Sequence, residues 1–392
     1  MNEMATLYNA AKAGKSVSLP PLAIEFADYA GWQREWFGSD DFKHQLSYWK
    51  NKLGDAPYTL DLPTDHPRPP VQTSNGANIS RMLAPELRDG ILRLAEAEGC
   101  SLFMALLATF NLLMSRYSGQ DDLLVGTPIS GRKRSELEKI VGFFLHTLVI
   151  RADLSGSPTF REFLGRTRQS VLEAFAHQEM PFETLVEALD PERDTSRHPL
   201  FQVHFVLQHV DIDWEMFDGL KAEPFEFEFG TAKFDIMFFV FDANDSLSVR
   251  LEYNTDLFEA DTIERMIDHF ETLLGGIIAT PNMNVGELPL LPEQERHKLL
   301  VEWNDTGFDY PAGGTMHGYF EAQVEQQPDA PALLAGGTTL SYRELNRRAN
   351  KLAIELQELG VGPEIMVAIC SERSAELIVA MLAVQKAGGA YV

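Results

Sequence analysis

The chain has 392 residues, more than one ordinary hydrophobic core holds, so length alone points to two or three domains. Its 45% hydrophobic and 23% charged content is that of a globular protein; 33 Lys plus Arg against 58 Asp plus Glu, a net charge of -25, disfavour a nucleic-acid footprint or an anionic membrane surface as partner. Cys100 and Cys370, the only cysteines, both sit in apolar helical patterns, which predicts buried free thiols in a reducing, cytoplasmic compartment without disulfides or a metal-ligand spacing.

The first 21 residues lack a basic segment followed by a continuous apolar run, so no secretory signal is read, and no apolar run is long enough to span a bilayer. Met4, Leu7, Tyr8 and Ala11 share one face of a helix over 3–13 that stops at Gly14, and the chain is expected to begin inside a longer sequence. Aromatic residues from Phe26 to Trp49 recur at helical spacing, a pattern that more often builds core than a ligand box. LPTDHPRPPVQ at 62–72 follows as an extended, Pro-rich stretch.

Beyond it, ANISRML reads as a strand, PELRDGILRLAEAEG as an amphipathic helix ending at Gly99, and SLFMALLATFNLLMSRY as a buried helix capped by Ser101. DDLLVGTPISG and VGFFLHTLVIRADL predict two apolar strands, the rhythm of a layered α/β domain. PTFREFLGRTRQSVLEAFAHQ is a helix, KFDIMFFVFDAND and SLSVRLEYNTDLF are strands joined by an Asn-Asp turn, and 260–278 is a closing helix. From Thr280 to Gly314 prolines accumulate without sustained periodicity, which predicts a linker. A helix, a hairpin around AGGTT, a helix, a strand at MVAICSE and a last helix running into the start of a strand complete the chain.

Residues 177–208 concentrate several local signals. His177, Glu179, Glu183, Asp194 and Arg197 are the residue types of an acid-base cluster, because His titrates nearest neutral pH. The plainer reading accounts for more of the pattern: a helix broken at Pro181, a turn through DPERDTSRHP and an alternating strand at FQVHFVL. The Gly-rich spots GTP (126–128), PAGGT (311–315) and AGGTT (335–339) match neither a phosphate loop nor a dinucleotide fingerprint and read as turns. His209 with Asp213 and Trp214 only loosely mimics an HxxxDG loop, and no nucleophile elbow is present.

Taken together, the landmarks ADYAGWQREW (27–36), GTPISGRKRSELEKIVGFFLHTLVIR (126–151), HQEMPFETLVEAL (177–189) and RDTSRHPLFQVHFVLQ (193–208) resemble the condensation domain of nonribosomal peptide synthetases. LPLLPEQERHKLLVEWNDT (288–306) resembles the linker that follows it, and LSYRELNRRANKLA (340–353) and MLAVQKAGGAYV (381–392) resemble the first motifs of an adenylation, or AMP-binding, domain.

The resemblance implies an α/β fold like chloramphenicol acetyltransferase over 1–279, with the remainder of a first lobe in 1–72 and a second lobe in 73–279. A linker over 280–314 and the N-terminal part of an α/β adenylate-forming domain over 315–392 would follow. The implied reaction is attack of an acceptor amine on a donor thioester, both presented by peptidyl carrier proteins on phosphopantetheine arms. The parent would also use ATP and Mg in adenylation; the stretch itself is expected to bind no cofactor. The family's catalytic HHxxxDG motif is expected just upstream, so no catalytic residue is assigned and the isolated chain is expected to be inactive. The resemblance implies a tunnel between the two lobes that admits the phosphopantetheine arms, and Gly126 and His146 are expected near it, His146 standing where the family usually carries Asn, as either a titratable group or a polar replacement keeping the same hydrogen bonds. Trp32, Arg132, Gly142, His177, Pro181, Phe182, Arg193, Arg197, Pro199 and Gln202 are expected to be scaffold landmarks, and no metal site is expected. A non-catalytic carrier-docking module and a heterocyclisation domain remain open as alternatives; the adenylation linker speaks against epimerisation.

Overall fold

The computed structural model describes residues 2–209, 216–221, 225, 229–243, 245–309 and 314–392. The chain forms two compact units, Met1–Leu300 and Val301–Val392, described separately below. In the first, α1 (Asn2–Lys12), α2 (Phe26–Trp36) and α3 (Asp40–Leu53) precede a mixed sheet with its helices. The single aromatic helical segment expected over 26–49 is two helices, because the Ser39 hydroxyl accepts from Phe42 N and starts α3 anew.

The sheet and its layer then alternate: β1 (Gly76–Met82), α4 (Pro85–Ala97), α5 (Leu102–Ser118), β2 (Asp122–Ile129), the single turn α6 (Ser135–Glu138), β3 (His146–Asp153), α7 (Phe160–Ala176), α8 (Phe182–Leu189), β4 (Val203–His209), β5 (Ile236–Asp242), β6 (Leu247–Asn254), α9 (Ala260–Ala279) and α10 (Glu293–Leu300). The six strands lie in the order β1-β6-β5-β4-β2-β3. β4 runs parallel to β5 and meets β2, also in parallel, at His204 and Gly126, whereas β2/β3, β5/β6 and β1/β6 are antiparallel.

Helix α5 explains the layer. Its middle is apolar apart from Thr109 and Asn111, and every residue from Met104 to Met114 is buried, as a helix without a solvent-facing polar stripe must be. The Ser101 hydroxyl caps its start and Gly119, at φ +72°, ends it. α5 packs on β2 and β4, α7 on β3, and α9 on β1 and β6. Alternation along β5 sends Ile236, Phe238 and Val240 into that layer, where the Phe238 ring meets Phe110 of α5 at 5.1 Å and Phe270 of α9 at 4.7 Å. Full burial of one such ring stabilises by about 1.5–3 kcal/mol. No single helix among the described residues is long and apolar enough to cross a membrane; α4 and α5 pass such a test only as a pair bent by 108°.

Three expectations change. The strand expected from Val141 onward begins at His146, and Val141 and Phe143 are 89% and 78% exposed. Arg132 diverts this stretch: its guanidinium donates to the carbonyls of Leu137 and Ile140 and lies 4.2 Å from the Phe144 ring centroid, so backbone that would join a ladder closes a loop instead. The 280–314 linker is partly core: Val285 and Leu288 are buried, Phe160 N donates to Met283 O, and Arg116 donates to the carbonyls of Val285, Gly286 and Leu288. Its helix α10 carries Glu295, which bonds His269 Nε2 at 2.8 Å, while His269 Nδ1 meets the Tyr117 hydroxyl at 2.6 Å. Lastly, Cys100 is half-buried in the α4–α5 turn and Cys370 is exposed outside any helix; both are free, and neither is a buried helical thiol. The Asn-Asp turn between β5 and β6 and the PAGGT turn include Asn244 and residues 311–313, which lie outside the described residues.

The second unit holds a short turn of 3-10 helix at Glu302–Asn304, α11 (Met316–Gln326), the hairpin β7 (Pro331–Ala335) and β8 (Thr338–Ser341), α12 (Tyr342–Glu358), β9 (Met366–Val367), α13 (Ala375–Ala387) and β10 (Ala390–Tyr391). β9 and β10 pair in parallel over two residues each, so the expected MVAICSE strand is much shorter than its apolar run. α12 packs on α13 with Leu345, Ala349 and Ala353 buried.

Candidate functional site

Four segments far apart in the chain enclose a cavity of about 270 Å3 in the first unit: α2, the loop that contains Gly131 and Lys133, the first residue of β3, and the turn after α7. α2 supplies Tyr29, Trp32 and Trp36, whose spacings of three and four residues place them on one face. Their rings form a ladder, Tyr29 to Trp32 at 5.7 Å and Trp32 to Trp36 at 6.4 Å with planes 22° apart. Trp36 is anchored by its indole N–H, which donates to Asp41 at 2.8 Å.

His146 forms the opposite wall. Gly131 lets the loop approach it: at φ +63°, a Cβ there would sit 2.0 Å from Phe144 O and 2.6 Å from the His146 ring. Burial pushes the His146 imidazole below its ordinary pKa, against the opposing pull of the Glu183 and Glu179 carboxylates. Burial, with Glu179 added, raises the Tyr29 hydroxyl. Lys133 and Glu179, both in its lining, pair at 3.0 Å.

Of the residues singled out from the sequence, the cavity brings together Trp32, His146 and Glu179. Arg132 and Gly142 build the loop behind it; a Cβ at Gly142 would meet the Phe26 ring at 2.3 Å. Gly126 lies on β2, where a Cβ would meet the Phe201 ring at 2.3 Å and His204 at 2.8 Å, so it serves close packing between β2 and β4. His177 ends α7 with its ring stacked on Tyr48 at 3.8 Å, its Nδ1 3.1 Å from Gln45 Oε1, and its carbonyl accepting from Trp49. Desolvation lowers its pKa, and His44 adds to the effect.

Pro181 caps α8, and Phe182 packs edge-on against Phe201 at 5.5 Å. Arg193, Arg197, Pro199 and Gln202 border a second, wider groove of about 1010 Å3. Arg197 lies between Asp194 at 3.4 Å and Asp61 at 3.6 Å. Gln202 is buried and fully used: its Oε1 accepts from Leu60 N at 2.7 Å, and its Nε2 donates to the carbonyls of Tyr58 and His198. The five residues of the candidate acid-base cluster are thus dispersed over the cavity, the groove and the Tyr48 stack. His209 lies 3.5 Å from Asp242; Asp213 and Trp214 lie outside the described residues.

Tyr29, Lys133 and Gln178 also line the cavity and were not singled out from the sequence; only the aromatic run of ADYAGWQREW hinted at the first. Among the described residues no group of three His, Cys, Asp or Glu could hold a metal ion. In the second unit Gly336 and Gly337, at φ +55° and +79°, turn one strand into another and open no helix, so they do not fit the phosphates of ATP.

Comparison with known proteins gives the setting. The family model described as Condensation domain matches residues 1–300, and that of the AMP-binding enzyme matches 320–392. A linear gramicidin synthase of Brevibacillus parabrevis is 45% identical over 394 residues, covering 100% of this chain and 8% of the relative. Gramicidin S synthase 2 of Brevibacillus brevis is 40% identical over 394 residues, covering 100% and 9%. The chain therefore spans less than a tenth of the length of these relatives. A solved holo four-domain nonribosomal peptide synthetase bound to AMP and glycine superposes with a TM-score of 0.79 at 27% identity, over 100% of this chain and 31% of that one. The X-domain from teicoplanin biosynthesis superposes with a TM-score of 0.65 at 26% identity, over 74% and 67%. The mixed α/β fold expected from the sequence is the one these neighbours share.

Proposed function

This chain belongs to the condensation-domain family and runs on into the start of an AMP-binding enzyme, and on that premise we propose that it is part of a nonribosomal peptide synthetase module, inactive by itself. The module joins carrier-bound aminoacyl or peptidyl thioesters and activates an amino acid with ATP. The observation that carries the reading is the condensation match over residues 1–300, with motif residues Trp32 and His146 facing one cavity. In the reaction the acceptor amine attacks the thioester carbonyl, the C–N bond forms, the C–S bond breaks, and the amine proton leaves with the thiol.

The residues here are assigned binding and orientation, not proton transfer. The aromatic ladder excludes water from one side of the substrate, and His146 offers a neutral hydrogen-bonding ring on the other. Gly126 and Gly142 let strands and loop close up behind it. Carrier domains that present phosphopantetheine arms are the partners of this reading. The free thiols Cys100 and Cys370 fit a reducing, cytoplasmic address.

The test is the intact parent synthetase carrying Trp32→Ala. Its peptide product, followed by mass spectrometry with loaded donor and acceptor carriers, is expected to fall by roughly tenfold or more, in line with a misplaced substrate. Amino-acid-dependent ATP–pyrophosphate exchange should stay unchanged. Undiminished peptide formation would sink the reading, and a heterocyclic product would replace it with heterocyclisation.

A further inference from the structure

The wider groove beside α8 carries charge that the fold does not use. Glu183 and Glu187, one turn apart on the exposed side of α8, and Asp190 and Glu192 beyond it are in no ion pair among the described residues. Arg197 is held by Asp194 and Asp61, which leaves Arg193 as the one unpaired cation of that lining among the described residues.

The groove is apolar at its inner end. It shares Glu183, Val186, His198 and Pro199 with a recess of about 360 Å3 walled by the rings of Phe182, Phe201 and Phe234. His198 and His204 pack on Phe234 at 4.8 and 5.0 Å, and the Nδ1 atom of each is buried without a hydrogen-bond partner among the described residues. His204 is 4% exposed. Its Cδ2 edge faces β2, 2.8 Å from where a Cβ on Gly126 would stand, so its Nδ1 edge turns the other way, to the Phe234 side. A polar atom buried without a partner is costly, and here two of them border one aromatic recess.

Charge and shape together specify an occupant. Unpaired carboxylates favour a cation. Glu183 and Glu187 are separated by about 6 Å of helix rise, and alternate residues of an extended chain lie about 6.6 Å apart and point the same way. Basic residues at positions i and i+2 of such a segment therefore meet both carboxylates, and the residue before them points to the opposite side. An aromatic body there fills the ring-walled recess, and a hydroxyl at its tip supplies the bond that the imidazoles lack, which is the chemistry of tyrosine. The groove volume of about 1010 Å3 takes several residues of a chain.

We propose that the α8 groove is a docking site for an extended basic segment of a partner protein, of the pattern tyrosine-basic-any-basic, with the tyrosine in the aromatic recess and the two cations on Glu183 and Glu187. The inference stands apart from the condensation reading, since it involves no thioester and no carrier.

The test titrates the 392-residue chain into fluorescein-labelled Ser-Tyr-Arg-Ser-Arg-Ser amide, read by fluorescence anisotropy. The dissociation constant is expected on the order of 10–100 μM at about 50 mM salt and to rise at least roughly threefold at about 300 mM. Replacing the peptide's tyrosine by phenylalanine should weaken binding roughly threefold, and by alanine roughly tenfold. The peptide with both arginines replaced by glutamate should not saturate. Glu183→Gln with Glu187→Gln, both exposed positions, should weaken binding by roughly fivefold or more, and circular dichroism verifies the fold. Glu355→Gln with Glu376→Gln, exposed in the second unit, removes the same charge from the net -25 and should leave binding unchanged.

Absence of binding, saturable binding of the glutamate peptide, or equal loss in the two double variants would overturn the proposal, the last because it would reduce the effect to general attraction by an acidic protein. Equal affinity of the tyrosine and alanine peptides would overturn it as well, by emptying the recess.

Discussion

The imidazole of His204 lies nearly flat against the ring of Phe234, with centroids 5.0 Å apart and planes 13° from parallel. His198 approaches the same ring at 4.8 Å, and the Nδ1 atoms of both histidines have no hydrogen-bond partner among the described residues. Burial, with Lys233 adding repulsion, lowers His198 to about 4 and His204 to about 3. Both are therefore neutral in the folded protein, while the unfolded chain protonates them near pH 6.5. Their contribution is intact above pH 6.5 and is lost as pH falls from 6.5 toward 4, because the unfolded state then binds more protons. At pH 5 the loss is about 2 kcal/mol per histidine. Urea unfolding at pH 7.5 and pH 5.0 should show it, and in His204→Phe, which keeps a ring without titration, the pH-dependent difference should shrink by about that amount. An unchanged difference in the variant would show that His204 does not contribute to it.

Gly126→Ala places a methyl group where the Phe201 ring stands. β2 and β4 cannot part without breaking the sheet, so the strain stays in the core and should cost about 1–3 kcal/mol. The denaturant midpoint should drop with an unchanged m-value, and a wild-type midpoint would show that Phe201 moves aside freely.

Arg68 and Asp235 form a buried pair, with side chains 16% and 2% exposed, and Arg68 also donates to the Ser196 carbonyl at 3.2 Å. Arg68→Ala would strand a buried carboxylate and release the 193–199 turn beside the wider groove, at a cost of about 3–5 kcal/mol. The double variant Arg68→Met with Asp235→Leu should recover much of that loss in a double-mutant cycle. Equal loss in single and double variants would count against the pairing.

Cys370 should react with a thiol reagent in the native protein well before Cys100. The first is exposed; the second is half-buried, its thiol is pushed up by burial, and its Sγ lies 3.6 Å from Glu98 O. Mass spectrometry of partially alkylated protein gives the order, and prior labelling of Cys100 would contradict the description of the α4–α5 turn.

Elements carried by a local pattern were readable in the sequence. Ser101 and the unbroken apolar run behind it announce α5, and the alternation of Ile236, Phe238 and Val240 announces β5. The order of the strands was not readable: β4 enters between β2 and β5 by two parallel pairings, which depend on crossovers and not on any local spacing. Val141 to Leu145 imitate a strand because apolar alternation cannot reveal that Arg132 takes up the carbonyls before them. The cavity was legible only as separate hints. Trp32 and His146 stood out, but they lie more than a hundred residues apart and meet only through folding, as Lys133 and Gln178 do with the Tyr29–Trp32 face of α2.

The last turn of α5 has a consequence for exchanging modules between relatives. At successive positions Arg116 holds three carbonyls of the 285–288 stretch, and Tyr117 reaches Glu295 through His269. A graft cut at Ala279 would tear out Val285 and Leu288 and leave both Arg116 and His269 grasping at solvent. A seam between Leu300 and Val301 leaves that grip whole, so chimaeras joined there should stay folded and those joined at Ala279 should aggregate.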